Sequence, residues 1–256
     1  MACRALVTGA TRGIGYLAAE ALAESGCDIV VSARSADELS EVASALSGAH
    51  GVRAYALPAD LAVKGDAARL VSESVRLLGG VDFVFLSYGN PPCEPCEPAD
   101  ATWDDWELAF RMYVASPVAI MSRLIAENPV KATVVLTSSF SSSSPMWTTG
   151  VADVVRASLP AMAKLYSRRY ADRLRVLVLQ VGSFRTPGAE NLIKKLSERE
   201  GVSPERYWDE RVASLSPLKR VGRPEELKDL VKWLLRSPEY LTGTTILFDG
   251  GSLGCV

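Results

Sequence analysis

The chain has 256 residues, 28 Lys and Arg against 30 Asp and Glu, a formal net charge of −2 and 48% hydrophobic residues. A chain of this length buries roughly 70–75% of the surface that its unfolded form exposes, so one domain can form a core without a metal or a disulfide. The near-neutral charge and the scattered placement of like charges argue against nucleic acid as a partner.

The hydrophobic residues are also distributed unlike those of a membrane protein. No stretch approaches the roughly 18 uninterrupted apolar residues that a membrane span needs, and residues 1–8 are typical of a strand rather than of a signal peptide. The spacing of the cysteines is unlike the disulfide framework of a secreted protein. They are Cys3, Cys27, Cys93, Cys96 and Cys255. We therefore expect a cytoplasmic protein that does not associate with membranes.

Seven short apolar or β-branched runs predict seven strands. They are Arg4–Thr8, Asp28–Ala33, Val52–Leu57, Val81–Leu86, Ala132–Thr137, Arg175–Val181 and Thr244–Phe248. Most of these runs are apolar on both faces, which is the pattern of parallel strands that are covered by helices on each side.

The segments between these strands repeat apolar residues at helical spacing. The first helix should end at Gly26, a residue suited to a left-handed cap, and the second should begin with a capping box of Ser35 and Glu38. Pro224 suits the first turn of the last helix. The alternation predicts a doubly wound α/β (Rossmann) three-layer sandwich with a seven-stranded parallel sheet, formed by residues 1–256 as a single domain. Ligands of such sheets bind at the carboxyl ends of the strands.

A glycine-rich turn lies between the first strand and the first helix. Its three glycines allow a tight bend, and they let backbone N–H groups approach a pyrophosphate at the helix N-terminus. No Gly-Lys-Ser/Thr follows, which excludes a P-loop, and the strand-to-helix context predicts a dinucleotide site. The predicted contacts in this turn are Gly9, Thr11, Arg12, Gly13, Ile14 and Gly15.

This spacing, TGxxxGxG, resembles the short-chain dehydrogenase/reductase family, and the resemblance extends along nearly the whole chain. Four further motifs carry it, namely Asp60-Leu61 after the third strand, Gly89, the turn from Gly182 to Thr186, and Asp249-Gly250-Gly251. The resemblance implies that a nicotinamide cofactor also contacts Asp60, Leu61, Gly89, Gly182 and Thr186. It implies hydride transfer between that cofactor and a carbonyl or alcohol, similar to 3-oxoacyl-thioester reductases or sugar dehydrogenases.

The residues at the end of the second strand indicate which nicotinamide cofactor is preferred. In dinucleotide folds an acid there binds the ribose 2′-hydroxyl, whereas an Arg accommodates a 2′-phosphate. Here the strand ends in Ala33-Arg34, without an acid, and Arg12 lies in the glycine turn. Two guanidinium groups suit a phosphate, so we predict NADP(H) in preference to NAD(H). The alternative is that either Arg is a solvated surface charge.

The catalytic residues depart from the family pattern, which has a Ser after the fifth strand followed by Tyr-x-x-x-Lys. Ser139 matches the Ser, and the phrase Arg156-Ala157-Ser158-Leu159 places Arg156 at the Lys position and Ala152 at the Tyr position. Alanine has no proton to donate, while Arg stays protonated. Arg156 is therefore expected to bind the nicotinamide ribose. A protein that binds NADP(H) with little or no turnover is the alternative to an active enzyme.

Three groups are candidates for the missing proton donor: Tyr113, Tyr88 and Ser139, the last through a bound water. We prefer Tyr113, because the resemblance places it where the family position faces the Lys through water. Its alternative role is to fill the space left at Ala152. Ser139 is interpreted as the hydroxyl that orients the substrate, although the serine run around it is also compatible with a flexible loop. The predicted catalytic set is Ser139, Arg156 and Tyr113.

Other features predict the surroundings of this site. Residues 188–216 are expected to form a substrate lid, whose Tyr207-Trp208 pair lines an apolar pocket or packs against the sheet. Pro160 should bend the helix beneath the site. Cys93 and Cys96 are predicted to lie in a stiff rim loop, with a local disulfide as the alternative, and no metal site is expected.

The remaining expectation concerns assembly. The expected partners are a small-molecule substrate and further copies of the same chain, the latter suggested by the family resemblance. It implies a homotetramer or a dimer, formed through helices at about 102–128 and 151–172.

Overall fold

The computed structural model describes residues 3–91 and 93–254. Seven strands form one parallel sheet in the order β3-β2-β1-β4-β5-β6-β7, which confirms the predicted fold class. The strands are β1 Arg4–Thr8, β2 Asp28–Ser32, β3 Ala54–Ala56, β4 Phe83–Leu86, β5 Ala132–Ser139, β6 Leu174–Val181 and β7 Thr244–Phe248. β3 is shorter than predicted because it lies at the sheet edge and pairs only with β2. β5 is longer because its pairing with β6 continues to Ser139.

Helices cover both faces of the sheet. They are α1 Gly13–Glu24, α2 Ala36–His50, α3 Asp66–Leu78, α4 Trp103–Phe110, α5 Ser116–Glu127, α6 Gly150–Arg156, α7 Leu159–Arg169, α8 Pro187–Glu200, α9 Pro204–Tyr207 and α10 Pro224–Arg236. α1, α2 and α10 pack on one face, and α3, α5 and α7 pack on the other. Along β1, Ala5 and Val7 contact the first layer while Leu6 contacts the second. Two apolar layers explain the strands that are apolar on both faces.

The strand order reverses next to β1, where the chain crosses from the edge strand β3 to β4. The loops after β1 and after β4 consequently leave the sheet side by side at its carboxyl edge. A crevice at such a reversal is the usual ligand site of open α/β sheets. The fold therefore brings the glycine turn close to the loops that carry Gly89 and Ser139.

α4 and α5 form one continuous helix, Trp103–Glu127, which is interrupted by a π-helical turn at Arg111–Ala115. By length and composition this described helix is apolar enough to cross a membrane. Ile120, Met121 and Leu124 of its second half are nevertheless buried in the core cluster beneath the sheet, so it is a packed layer of this fold. Tyr113 lies in the π-helical turn, a feature that frequently occurs at functional sites.

Pro160 interrupts the helical segment beneath the site, as the sequence predicts. α6 ends at Arg156, and α7 begins at Leu159 with Pro160 in its first turn. Proline lacks the N–H that would continue the hydrogen bonding of α6. Arg156 is consequently the last residue of its helix.

Two predicted helix caps have different outcomes. Gly26 has φ +82 and follows the end of α1, which confirms the left-handed cap. Ser35 precedes α2, but its side chain makes no capping hydrogen bond, so the predicted capping box with Glu38 is wrong. Both side chains instead face the cavity described below.

The structure pairs Cys3 with Cys27 as a disulfide that joins the segments preceding β1 and β2. This pair is not foreseen by the sequence analysis, which expects a core without a disulfide. Cys93 and Cys96 are free thiols, so the alternative of a local disulfide between them is not supported.

Candidate functional site

A cavity of about 980 Å³ opens at the carboxyl edge of the sheet, at the reversal of strand order. The predicted site residues that line it come from the glycine turn, from the strand ends and from the helix that carries Tyr113. They are Gly9, Thr11, Arg12, Gly13, Ile14, Arg34, Asp60, Leu61, Gly89, Tyr113, Ser139, Arg156, Gly182 and Thr186. Residues that are spread over the whole chain therefore meet at one site.

Gly15 is the predicted contact that does not line the cavity. A Cβ at this position would lie 2.2 Å from the carbonyl oxygen of Gly9, so Gly15 packs the start of α1 against the turn. Gly9 and Gly13 have φ +60 and +61, in the region that favours glycine. The turn therefore presents bare backbone to the cavity at a helix N-terminus, and this cradle fits the pyrophosphate of a dinucleotide.

Charged side chains surround the far end of this cradle. Arg12 and Arg34 are both exposed, and their guanidinium groups are available to a phosphate placed there. Ser35 and Glu38 line the same end of the cavity. The carboxylate of Glu38, which was expected in a helix cap, therefore borders the cavity instead. Asp60 is held by its own loop, because its Oδ1 accepts the N–H of Ala62 at 2.9 Å.

At the other end of the cavity, Ser139 ends β5. Its Oγ accepts the N–H of Ser141 at 3.3 Å and lies 2.7 Å from the Ser141 Oγ. The Ser141 Oγ also lies 2.7 Å from Oδ1 of Asp153. Two hydroxyls thus connect the cavity to a carboxylate in α6.

Asp153 is fully buried, and sequence reasoning missed it. Its Oδ2 accepts the Thr149 hydroxyl at 2.8 Å and the N–H of Met146 at 3.2 Å, while Arg156 donates to Oδ1 at 3.2 Å. The available signal was an acid within the apolar run of residues 151–155, since a buried acid is rare unless it is paired.

Arg156 is held on two sides. Its side chain is 12% exposed and forms the ion pair with Asp153, and its guanidinium carbon lies 5.3 Å from the ring centroid of Tyr113. Its Nε donates to the carbonyl of Ala152 at 3.3 Å. A fixed positive charge therefore borders the cavity where the family pattern has a Lys.

Tyr113 packs against Ala152 and also reaches the cavity. It is buried in a cluster with Ala152 and Val151, so its ring fills the space next to Ala152. Its hydroxyl nevertheless borders the cavity and donates to the carbonyl of Gly89 at 2.5 Å. Burial raises the pKa of this phenol well above its ordinary value, so it stays protonated at neutral pH.

Tyr88 packs edge-to-face against Tyr113, with ring centroids 5.2 Å apart. Its hydroxyl is buried, and it finds no hydrogen-bond partner among residues 3–91 and 93–254. Burial raises its pKa as well, so both tyrosines are neutral groups next to the cavity.

Glu94 is a second acid that sequence reasoning missed, because this loop was interpreted only from its two cysteines. The side chain is buried, and Oε1 accepts the N–H of Ala152 at 3.0 Å. Its Oε2 has no hydrogen-bond partner in the part of the chain that the structure describes. Burial raises the pKa of Glu94 to about 7, although Arg156 opposes the shift. A titrating carboxyl thus contacts the backbone at the tyrosine position.

The substrate end of the cavity is mostly apolar. Its apolar side chains come from the continuous helix Trp103–Glu127, from the loop after β5 and from the segment 188–216. They are Leu108, Met112, Met146, Trp147, Leu192, Ile193, Leu196, Tyr207, Trp208, Val212 and Leu215. Tyr207 and Trp208 are also packed on Ile193 and Leu196, so they both line the cavity and form part of a small core. The closing motion of a lid stays a prediction for this segment.

One group of potential metal ligands lies away from the cavity, where Glu20, Glu24 and His50 approach one another. Lys228 forms ion pairs with both glutamates, and Lys232 pairs with Glu24 at 2.7 Å. The carboxylates thus already have cationic partners, and we assign no metal to them.

The raised pKa of Glu94 predicts a pH-dependent stability. The folded state holds a proton that an ordinary Glu, with a pKa of 4.5, has lost, so stability falls as the pH rises from about 4.5 to about 7. Glu94→Gln keeps an acceptor for Ala152 without the buried charge. We expect it to be more stable than the wild type by about 1–3 kcal/mol at pH 8 and nearly equal at pH 4 in urea denaturation.

The exposed Glu97 of the same loop provides the control. Glu97→Gln should leave the stability unchanged at both pH values. A difference between Glu94→Gln and the wild type that stays constant from pH 4 to pH 8 would show that Glu94 does not titrate as described.

Comparison with known proteins agrees with this geometry. Residues 9–252 match the family model described as Enoyl-(Acyl carrier protein) reductase. The chain is 28% identical over 253 residues to glucose 1-dehydrogenase from Gluconobacter oxydans, which covers 97% of this chain and 91% of that protein. It is 32% identical over 254 residues to a protein named as ketoacyl reductase 2 of the granaticin polyketide synthase from Streptomyces violaceoruber, covering 97% and 95%.

A solved structure extends the likeness to the fold. L-sorbose reductase from Gluconobacter frateurii, crystallised with NADPH and L-sorbose, superposes with a TM-score of 0.89 at 25% identity, covering 100% of this chain and 98% of that one. The parallel sheet, the glycine cradle and these matches along almost the whole length lead to one conclusion: the chain belongs to the short-chain dehydrogenase/reductase family of oxidoreductases.

Proposed function

We propose that the protein is an NADP(H)-dependent oxidoreductase that acts on a carbonyl or alcohol group of a small-molecule substrate. The observation that carries the proposal is a single cavity with a dinucleotide cradle and two arginines at one end, and with Ser139 and Arg156 at the other. The names of the similar proteins support this reaction class, since they include a sugar dehydrogenase, a ketoacyl reductase and a sugar reductase that was crystallised with NADPH.

The residues that line the cavity suit each part of the cofactor. The glycine turn would hold the pyrophosphate, and Arg12 and Arg34 would hold a 2′-phosphate. Asp60 and Leu61 would contact the adenine. Arg156, Gly182 and Thr186 would hold the nicotinamide half, which supplies hydride chemistry when bound.

The side chains around Ser139 would orient the substrate and stabilise the charge that develops on it. Its hydroxyl can orient the substrate oxygen, and the fixed charge of Arg156 stabilises negative charge that develops on that oxygen. Tyr113 is protonated at neutral pH, but its proton is already donated to Gly89, so proton transfer to a substrate requires that hydrogen bond to break. Ala152 supplies no proton, and a missing general acid costs about 10²- to 10⁴-fold in rate.

The cofactor preference predicts the behaviour of an Arg34 variant. Arg34→Asp removes a charge-assisted contact with the 2′-phosphate and adds repulsion, so NADPH should bind about 10- to 100-fold more weakly while NADH changes little. Fluorescence titration of both reduced cofactors measures the difference. Arg236→Asp, at an exposed position outside the cavity, is the control. Equal losses for NADPH and NADH would remove the basis for the preference.

The proton donor is tested by turnover. A panel of ketones, ketoacyl thioesters and sugars is followed at 340 nm with NADPH, and Tyr113→Phe is compared with the wild type. Tyr113→Phe should lower kcat by about 10²-fold if its phenol supplies the proton, and should leave kcat nearly unchanged if another group supplies it. Tyr166→Phe in α7 is the matched control.

The two other outcomes are distinct. Turnover that persists in Tyr113→Phe removes Tyr113 as the donor and leaves the oxidoreductase proposal intact. Tight NADPH binding without turnover of any substrate supports the alternative function, a catalytically degenerate NADP(H)-binding protein, which Ala152 at the tyrosine position favours.

We also propose that the chain forms a homo-oligomer, a tetramer or a dimer, through the α4–α5 helix and the α6–α7 segment. Phe110, Val154 and Leu165 on these helices are 52%, 54% and 65% exposed. A charge at such a position should dissociate the assembly because it would be buried unpaired. Light scattering after gel filtration should therefore show a smaller species for Leu165→Glu and an unchanged one for Trp233→Glu on α10. A monomeric wild type would contradict the proposal.

A further inference from the structure

A chain of hydrogen bonds runs from the cavity to a fully buried carboxylate. Ser139 and Ser141 line the cavity, whereas Asp153 is 0% exposed behind them. Each of the two links, from Ser139 Oγ to Ser141 Oγ and from Ser141 Oγ to Asp153 Oδ1, measures 2.7 Å. These distances are typical of O–H···O hydrogen bonds.

The chemistry of the three groups determines the direction of their protons. Ser141 has one hydroxyl proton and two acceptors at 2.7 Å, and the anionic carboxylate of Asp153 is the stronger acceptor. As the atoms lie, Ser141 is the donor to both oxygens, so its one proton can be directed to Asp153 Oδ1 or to Ser139 Oγ. Ser139 also accepts the N–H of Ser141, which holds its oxygen in place. Rotation of the Ser141 hydroxyl thus switches its proton between the carboxylate and the serine that lines the cavity.

The other contacts of Asp153 keep the carboxylate in this orientation. Thr149 and Met146 both donate to Oδ2, which leaves Oδ1 to Ser141 and to Arg156. The contacts to Oδ2 join the loop after β5 to α6. The branch through Ser141 instead ends at Ser139, next to the space where a substrate oxygen would lie.

We propose that Ser139, Ser141 and Asp153 form a proton relay that replaces the missing phenol. In alcohol oxidation the substrate O–H proton passes to Ser139 Oγ, the proton of Ser139 passes to Ser141 Oγ, and that of Ser141 passes to Asp153 Oδ1. The C–H bond of the substrate breaks and its hydride passes to an oxidised nicotinamide, so the substrate loses two electrons and two hydrogens. Asp153 ends as a carboxylic acid, and carbonyl reduction reverses each transfer.

This inference rests on the proposed function, since it assigns the proton that the reaction must move. Ser139 is the member that touches the substrate, and Ser141 and Asp153 act through it. Three charged or titratable groups face Asp153: Arg156 on its own helix, Glu94 on the rim loop and Tyr113 in the π-helical turn.

The decisive variant is Ser141→Ala, which interrupts the relay while leaving the ion pair of Asp153 with Arg156 in place. Ser142→Ala is the matched control, because Ser142 is also a buried serine of this turn. Its hydroxyl contacts Ser138, Gln180 and the carbonyl oxygen of Ser139, but neither Ser139 Oγ nor Asp153. Ser141→Thr restores a hydroxyl and is the conservative rescue. Asp153→Asn is the second test, with Ser141→Ala as the safeguard if that variant does not fold.

Kinetics of alcohol oxidation provide one readout. We expect Ser141→Ala to lower kcat by about 10²-fold with KM nearly unchanged. The dependence of kcat on the deuterium fraction of the solvent should be curved in the wild type, where several protons move, and linear in Ser141→Ala. Ser142→Ala and Ser141→Thr should retain kcat and the curvature.

A second readout needs no cofactor. In unliganded protein labelled with ¹³C at the aspartate carboxyl groups, Asp153→Asn identifies the Asp153 signal. Ser141→Ala should shift the carboxyl ¹³C resonance of Asp153, because a hydrogen bond to the carboxylate is lost, whereas Ser142→Ala should leave the resonance in place. An unchanged resonance in Ser141→Ala would show that the second link is absent in solution, and it would overturn the relay.

The two proposals fail in different ways. An active wild type whose Ser141→Ala variant keeps its kcat and its curved isotope dependence overturns the relay and leaves the oxidoreductase intact. A wild type that binds NADPH but turns over no carbonyl or alcohol overturns the proposed function, and the relay then has no reaction to serve.

Discussion

The buried ion pair between Asp153 and Arg156 is the interaction on which the candidate site depends. A buried charge pair is tolerated only when further hydrogen bonds satisfy both ions, and loss of one partner from such a pair is typically destabilising by about 3–5 kcal/mol. Here the carboxylate of Asp153 also accepts hydrogen bonds from Thr149, Met146 and Ser141. The pair therefore fixes the loop after β5, the end of α6 and the guanidinium that borders the cavity in a single arrangement.

The same pair explains how the site accommodates Arg156. A buried guanidinium needs a counter-charge, and Asp153 on the same helix provides it. The ring of Tyr113 covers another side of the guanidinium, and Tyr113 also packs against Ala152. Ala152, Arg156 and Tyr113 are thus physically linked to one another.

A second carboxyl makes the electrostatic balance of the site depend on pH. Glu94 and Asp153 both lie near one guanidinium, and two ionised carboxylates in that environment would leave an excess negative charge. Burial raises the pKa of Glu94, so that it is the member that gains a proton near neutrality. The site consequently contains a titrating group that contacts the backbone of Ala152.

Local sequence patterns are sufficient to predict the layered sheet and the glycine turn, because periodicity and glycine spacing are properties of neighbouring positions. They do not reveal the pairing of Cys3 with Cys27 or the contact of Glu94 with Ala152. They also do not reveal the links from Ser139 to Asp153. These contacts follow from the folded arrangement, since burial and hydrogen-bond geometry arise where separate strands and loops meet, and no local pattern encodes which polar groups are enclosed together.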